Sequence, residues 1–176
     1  MTRVTTSPGS DGHRGHAAQV RRDRDDAGRP RNARPRDGLG RPLPPGTPGV
    51  PVTPDDLDLA PAETLREAQR LLDMGLPFHA HEVLEAAWKS APTHDRELWR
   101  GLAQLAVGLT HARRGNGAGA SRLLRRSADR IEPYAGSPPH AVAVADLTAW
   151  ARNLAARIDQ WGAADLPATA TVPRLT

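Results

Sequence analysis

From Thr53 onward, apolar residues recur every three or four positions, in blocks separated by proline and glycine. A period near 3.6 fits α-helices and no other regular structure. Leu65, Ala68 and Leu72 form the first stripe, on a helix expected from Pro61 to Met74 and stopped by Gly75. Pro77 opens a second helix that carries Phe78 to Trp88 and ends before Pro92. A third is expected from Asp95 to Arg114, with Leu98, Leu102, Leu105, Ala106 and Leu109 facing the core and Gly115-Asn116-Gly117 as its closing turn. A fourth runs from Ala118 to Tyr134, with Leu123, Leu124, Ala128 and Ile131 inside and Arg122, Arg125, Arg126 and Arg130 on its outer face. A fifth begins near Val142, or with Asp146 as cap, and buries Leu147, Trp150, Leu154, Ile158 and Trp161. β-branched alternation is absent and the connections are short. The expected fold is all-α, a compact bundle of about five helices with antiparallel neighbours.

Residues 1–52 have a different composition. They hold ten Arg and five Asp, a net charge of about +5, and are rich in Gly and Pro. Such a stretch cannot bury enough apolar surface to offset its ordering entropy, so a disordered tail is expected over 1–52. The helical domain is expected over 53–165 and a frayed C-terminus over 166–176. Past residue 52, fourteen Lys or Arg face fifteen Asp or Glu, a net of about −1. The sequence pI of 10.8 thus belongs to the tail and gives the folded part no nucleic-acid character; any such binding is expected through the basic tail alone. With no cysteine, disulfides, thiolate metal sites and a Cys nucleophile are excluded. No apolar run reaches the roughly 20 residues needed to cross a bilayer, and no apolar stretch follows Arg3 as in a signal peptide. A soluble, cytoplasmic protein without a membrane partner is expected.

The polar residues among the apolar stripes mark the candidate site. On a helix, Phe78, His81, Leu84, Glu85 and Trp88 share one face, and the two large aromatic residues make it the expected buried face. An imidazole and a carboxylate buried there without partners would each cost roughly 1–3 kcal/mol. His81 and Glu85, four residues apart, can satisfy each other. On the third helix Gly101, Gln104, Gly108 and His111 share a face; helical glycine costs about 1 kcal/mol against alanine, so the pair marks a close helix approach or room for a ligand. Packing the two helices antiparallel would gather His81, Glu85, Gln104 and His111, with Glu82 at the edge, into one internal polar cluster.

Three chemistries fit that cluster: a structural network, a small-molecule site in which His81 and Glu85 transfer a proton, and a divalent-metal site held by His81, Glu85 and His111. The spacing departs from both common metal patterns, since Glu-x-x-His is not repeated and Glu85 stands where the zinc-protease pattern has its second His. His79 is expected to be exposed or at a helix junction, His94 lies in a loop, and His13, His16 and His140 have no companions. The Gly115–Ala120 run lacks a preceding strand and a Gly-Lys-Ser/Thr ending, and reads as a turn. Two function classes remain: a non-enzymatic interaction module that binds a protein partner or itself, and a metal-binding or small-molecule enzyme using His81, Glu82, Glu85 and His111.

Phe78-His-Ala-His-Glu-Val-Leu-Glu-Ala-Ala-Trp88 resembles the Phe-x-Ala-His-Glu-x-x-Glu-x-x-Trp signature of domain-of-unknown-function family 309. Gly101-Leu-Ala-Gln104 is similar to that family's Gly-Leu-x-Gln segment, and His111 with Gly115-Asn116 and Gly119-Ala120 to its later pattern. The resemblance extends from about Leu65 to Ile131; Arg100 departs from it, where the family often has Gln. It implies a small all-helical bacterial or archaeal protein without an established activity. The family positions carried over are His81, Glu82, Glu85, Trp88, Gly101, Gln104, His111, Asn116, Gly119 and Ala120.

Overall fold

The structure, a computed structural model, describes residues 35–51, 53–54, 57–164 and 166–176. Among them are five α-helices: α1 (Pro61–Asp73), α2 (Pro77–Ser90), α3 (Arg96–Arg113), α4 (Gly117–Ile131) and α5 (Val144–Trp161). Each packs on the next, so chain order is also packing order. Leu65, Leu72, Leu84, Leu98, Leu102, Leu105, Leu109, Leu124, Ile131, Leu147 and Leu154 belong to one continuous core.

Local signals explain the helix limits. Pro61 and Pro77 sit in the first turns of α1 and α2, where an N–H would have no helical partner anyway. The C-termini of α1 and α3 close the same way. Gly75 (φ +73°) donates to Leu72 and Leu76 to Leu71; Gly115 (φ +77°) donates to Ala112 and Asn116 to His111. Both are double-bonded closures around a left-handed residue, the conformation glycine adopts without strain. Asn116 then caps α4 by accepting from the Gly119 N–H at 3.0 Å. α5 departs from expectation: it starts at Val144, with Ala143 rather than Asp146 at the cap position. Trp161 is 59% exposed at its end, outside the core the periodicity assigned it to.

The centre of the bundle is the α3–α4 contact, and glycine sets its closeness. A Cβ at Gly101 would lie 2.3 Å from the Ile131 side chain, and one at Gly108 would lie 3.2 Å from Leu124. The pair is explained by helix approach, not by space for a ligand.

Two segments depart from the expected domain limits. Residues 35–51, placed by composition in a disordered tail, form a strap of turns with antiparallel bridges from Arg36 to Pro42 and Val50. Asp37 organises it, accepting from the N–H groups of Leu39 and Arg41 through its carboxylate. The strap docks on helices: the Arg36 guanidinium lies over the Phe78 ring at 5.2 Å, the ring fills the space beside Gly40, and Arg114 donates to the Leu39 carbonyl. These few anchors supply what average composition hides. The rest of the expected tail, 1–34 and Val52, lies outside the described residues. The end expected to fray is also tied down. Leu175 is buried, its N–H donates to Gln69 Oε1, Gln69 Nε2 donates to the Pro173 carbonyl, and Ala143 donates to the Leu175 carbonyl.

The loop between α4 and α5 is pinned through a buried charge. Asp95, 5% exposed just ahead of α3, lies 2.6 Å from His140 Nε2, and the His140 ring lies 5.6 Å from that of Trp99. His140 and Ala141 both have positive φ, 55° and 58°, a costly conformation for residues with a Cβ. The Tyr134 hydroxyl donates to the His94 carbonyl beside them.

Gly101→Ala should lower stability by about 1–3 kcal/mol despite alanine's better helix propensity, because Ile131 has to move. A urea midpoint equal to or above the parent's would refute the close-contact account. Asp95→Ala should cost about 2–4 kcal/mol by leaving His140 unpaired, and Asp95→Asn less, since an acceptor remains. Equal thermal midpoints for both variants and the parent would show that the loop is held by other contacts.

Candidate functional site

The family-like segment lies on α2, and the rotation of that helix decides what each side chain meets. Its buried side chains are Pro77, His79, Ala80, Val83 and Leu84. Phe78, His81, Glu82, Glu85 and Trp88 are only half-buried. The expected buried face is therefore turned part-way out, and a neighbouring stripe of Ala80, Val83, Leu84 and Ala87 faces the core. His79, expected to be exposed or at a junction, is 2% exposed.

Two histidine–carboxylate pairs follow along the helix. His79 Nδ1 lies 3.2 Å from Glu82 Oε2, and His79 Nε2 lies 3.4 Å from the Asp37 carbonyl of the strap. Neither His79 Nδ1 nor Glu82 Oε2 has hydrogen-bond geometry to any group, although both are buried. One turn on, His81 Nε2 lies 3.6 Å from Glu85 Oε2, whose other oxygen is 3.3 Å from Lys89 Nζ. Burial holds the His81 imidazole below its ordinary range, opposed by Glu85 and reinforced by Lys89. Trp88 closes this row beneath the Arg100 guanidinium, 5.3 Å from the ring, with its buried Nε1 lacking a hydrogen bond.

Gln104 and His111 have partners elsewhere. Gln104 Oε1 accepts from Arg130 Nε at 3.1 Å, and Arg130 also pairs with Glu97. His111 Nδ1 lies 2.8 Å from Asn116 Nδ2, so the imidazole acts as the acceptor and supports the cap of α4. Burial lowers its pKa, with Arg114 and Arg122 adding to the effect. The structure thus joins His81 to Glu85 and His79 to Glu82, and among the described residues no hydrogen bond or ion pair links either pair to Gln104 or His111. Nor, among those residues, do three or more His, Asp or Glu side chains converge where a metal ion could be held, so His81, Glu85 and His111 form no ligand set.

Sequence reasoning passed over His79, Asp37 and the Asp95–His140 pair. The first had a local signal, Glu82 three residues on. The others depend on distant backbone. Beside His79, a cleft of about 790 Å³ lies between Val50, Pro51, Thr53, Pro54, Leu57 and Leu59 on one side and helices α1 and α2 on the other. Leu57, Leu71, Leu76 and Val83 line its apolar part, and Glu63, Arg66, Glu67 and Arg70 run along the α1 side. Of the Phe78–Trp88 segment, His79 and Val83 reach it.

Both His81 and His111 resist protonation in the folded chain, so the unfolded chain binds more protons as pH falls through about 6.5, the ordinary histidine value. Stability should therefore be fully present above that value and decline below it. His81→Gln should flatten the decline, read as urea midpoints between about pH 8 and pH 5. An unchanged slope in the variant would rule out His81 as a source.

Comparison with known proteins places this segment. Residues 65–123 match the family model described as Domain of unknown function (DUF309). The chain is also 51% identical over 51 residues to "Uncharacterized protein YpuF" of Bacillus subtilis (strain 168), an overlap of 28% of this chain and 29% of that protein. The match thus spans less than a third of the relative's length. No solved structure matches. The resemblance read from Phe78–Trp88, Gly101–Gln104 and Gly115–Ala120 is borne out: the family 309 model matches residues 65–123, from α1 into α4.

Proposed function

We propose that this protein is a cytoplasmic, non-enzymatic interaction module that receives an amphipathic helix of a protein partner in the cleft beside α1. The observation that carries the reading is the cleft itself, about 790 Å³ with a mainly apolar lining of Leu, Val, Pro and Met side chains. Met74 lines it and is 60% exposed, so its thioether is open to a partner laid in the cleft. Thioether side chains adapt to different apolar surfaces, as recognition grooves require.

The dimensions suit a short helix. The lining follows α1 from Glu63 to its C-cap Met74, twelve residues spanning about 16 Å, the length of three turns of a partner laid alongside. Along the same side Arg66 pairs with Glu63 and Arg70 with Glu67. This rim of alternating sign favours a partner whose apolar stripe is flanked by both charges, and disfavours a uniformly basic or acidic one.

The polar pairs of α2 support the module reading over the enzymatic one. His79 is covered by the Asp37 carbonyl, and the His81–Glu85 pair is shared with Lys89. Neither arrangement sets a base beside a nucleophile at the cleft. In this reading the pairs fix the rotation of α2 and hence the floor of the cleft at Leu76 and Val83.

Selection of displayed 16-residue peptides against the full chain should enrich sequences with apolar residues at i, i+3 or i+4, and i+7. Met74→Glu, at an exposed position, should weaken the selected peptides by about tenfold or more while leaving the unfolding midpoint unchanged. Absence of enrichment, or peptides that bind Met74→Glu as tightly as the parent, would reject the proposal.

A further inference from the structure

A second cavity, of about 350 Å³, lies where the α3–α4 turn meets the strap and the segment after α5. Its lining includes Arg41, Arg113 and Arg114 together with Gly115, Leu166 and Thr171, and among the described residues no acidic side chain lines it. Elsewhere Arg66, Arg70, Arg100, Arg125, Arg130, Arg152 and Arg174 each contact a carboxylate. Among the described residues, Arg41, Arg113 and Arg114 form no such ion pair. Arg96, Arg122, Arg126 and Arg157 also lack one, but they line neither cavity, whereas the exposed Arg41 and Arg114 and the half-buried Arg113 share the lining of this one. Three cations around one concavity repel each other unless an anion joins them.

We infer that this cavity is a binding site for a small phosphorylated molecule, whose phosphoryl oxygens Arg41, Arg113 and Arg114 receive and whose less polar part lies against Ala112, Ala163 and Leu166. Guanidinium forks match phosphoryl oxygens in shape and bind them by charge-assisted hydrogen bonds. Two of the three are positioned in advance. The Arg114 guanidinium is held by the Leu39 carbonyl, and that of Arg113 lies against the α1–α2 turn, 3.4 Å from where a Gly75 Cβ would stand. Preorganised donors lose less freedom on binding. A volume of about 350 Å³ suits a phosphate ester of metabolite size, not a polymer backbone running across a surface.

The three arginines come from two places in the chain: Arg41 from the strap, and Arg113 with Arg114 from the last turn of α3 and its cap. His111 and Asn116, on the turn between them, hold the α4 N-terminus in place through their mutual contact. The site is therefore independent of the cleft beside α1, and failure of one proposal leaves the other standing.

Calorimetric titration of the full chain with inorganic pyrophosphate tests the inference. One saturable site is expected at millimolar or lower pyrophosphate. Arg113→Gln/Arg114→Gln should weaken it by about tenfold or more. Arg41→Gln should weaken it too, and because no hydrogen bond of the fold uses that side chain, it keeps the test valid if the double variant unfolds. Arg122→Gln/Arg126→Gln, on the outer face of α4, should bind as the parent does. No saturable binding overturns the proposal. So does equal loss in the outer-face variant, which would show surface attraction only, and so does undiminished binding in both cavity variants, which would assign the anion to the Arg-rich sequence before residue 35. A single-stranded oligonucleotide that binds more tightly and displaces pyrophosphate would overturn it in favour of nucleic acid.

Discussion

The closeness of α3 and α4 at Gly101 and Gly108 is the constraint on which the rest of the structure depends. With no side chain at either position, Ile131 and Leu124 enter the surface of α3. That depth carries Arg130 to Gln104 and Glu97, and it carries the start of α4 to His111. α5 then packs on the far side of α4, with Arg152 held by Glu132 and Asp129 and Arg125 by Asp159. The exposed ion pairs add little on their own, and their order follows from the backbone placement that the two glycines permit.

The same placement explains why four polar residues that look like one cluster are divided. Gln104 and His111 lie on the face of α3 that α4 approaches, so their partners are Arg130 and Asn116. His81 and Glu85 lie on a half-exposed side of α2 and satisfy each other. His79, one helical step away, is covered by the strap. Polar groups in this bundle are matched locally, between adjoining elements, and each match fixes the rotation of one helix against the next.

How far the sequence could be read follows the range of the forces involved. Proline in first turns and glycine just past last turns act within a few residues, and the limits of α1, α2 and α3 were legible to within one residue of the observed ones. The rotation of α2 was not, because the expected face of Phe78, His81, Leu84, Glu85 and Trp88 and the observed one of Ala80, Val83, Leu84 and Ala87 share Leu84, and packing turned the helix toward the side with small apolar residues. The strap was hidden because a few anchoring contacts, Arg36 on Phe78 and Arg114 on Leu39, do not alter an average composition. His140 was illegible for a stronger reason: its left-handed backbone and its bond to Asp95, 45 residues away, exist only in the folded chain.

The link between Gln69 and the backbone at Pro173 and Leu175 joins positions 104 and 106 residues apart. An array of helices in chain order would otherwise assemble from neighbouring contacts, the arrangement that folds fastest. Here the outer edge of α1 waits for the last described segment before it is sealed. α1, the first helix among the described residues, is then among the last to be completed, and its outer edge registers whether the segment at Pro173 and Leu175 has docked.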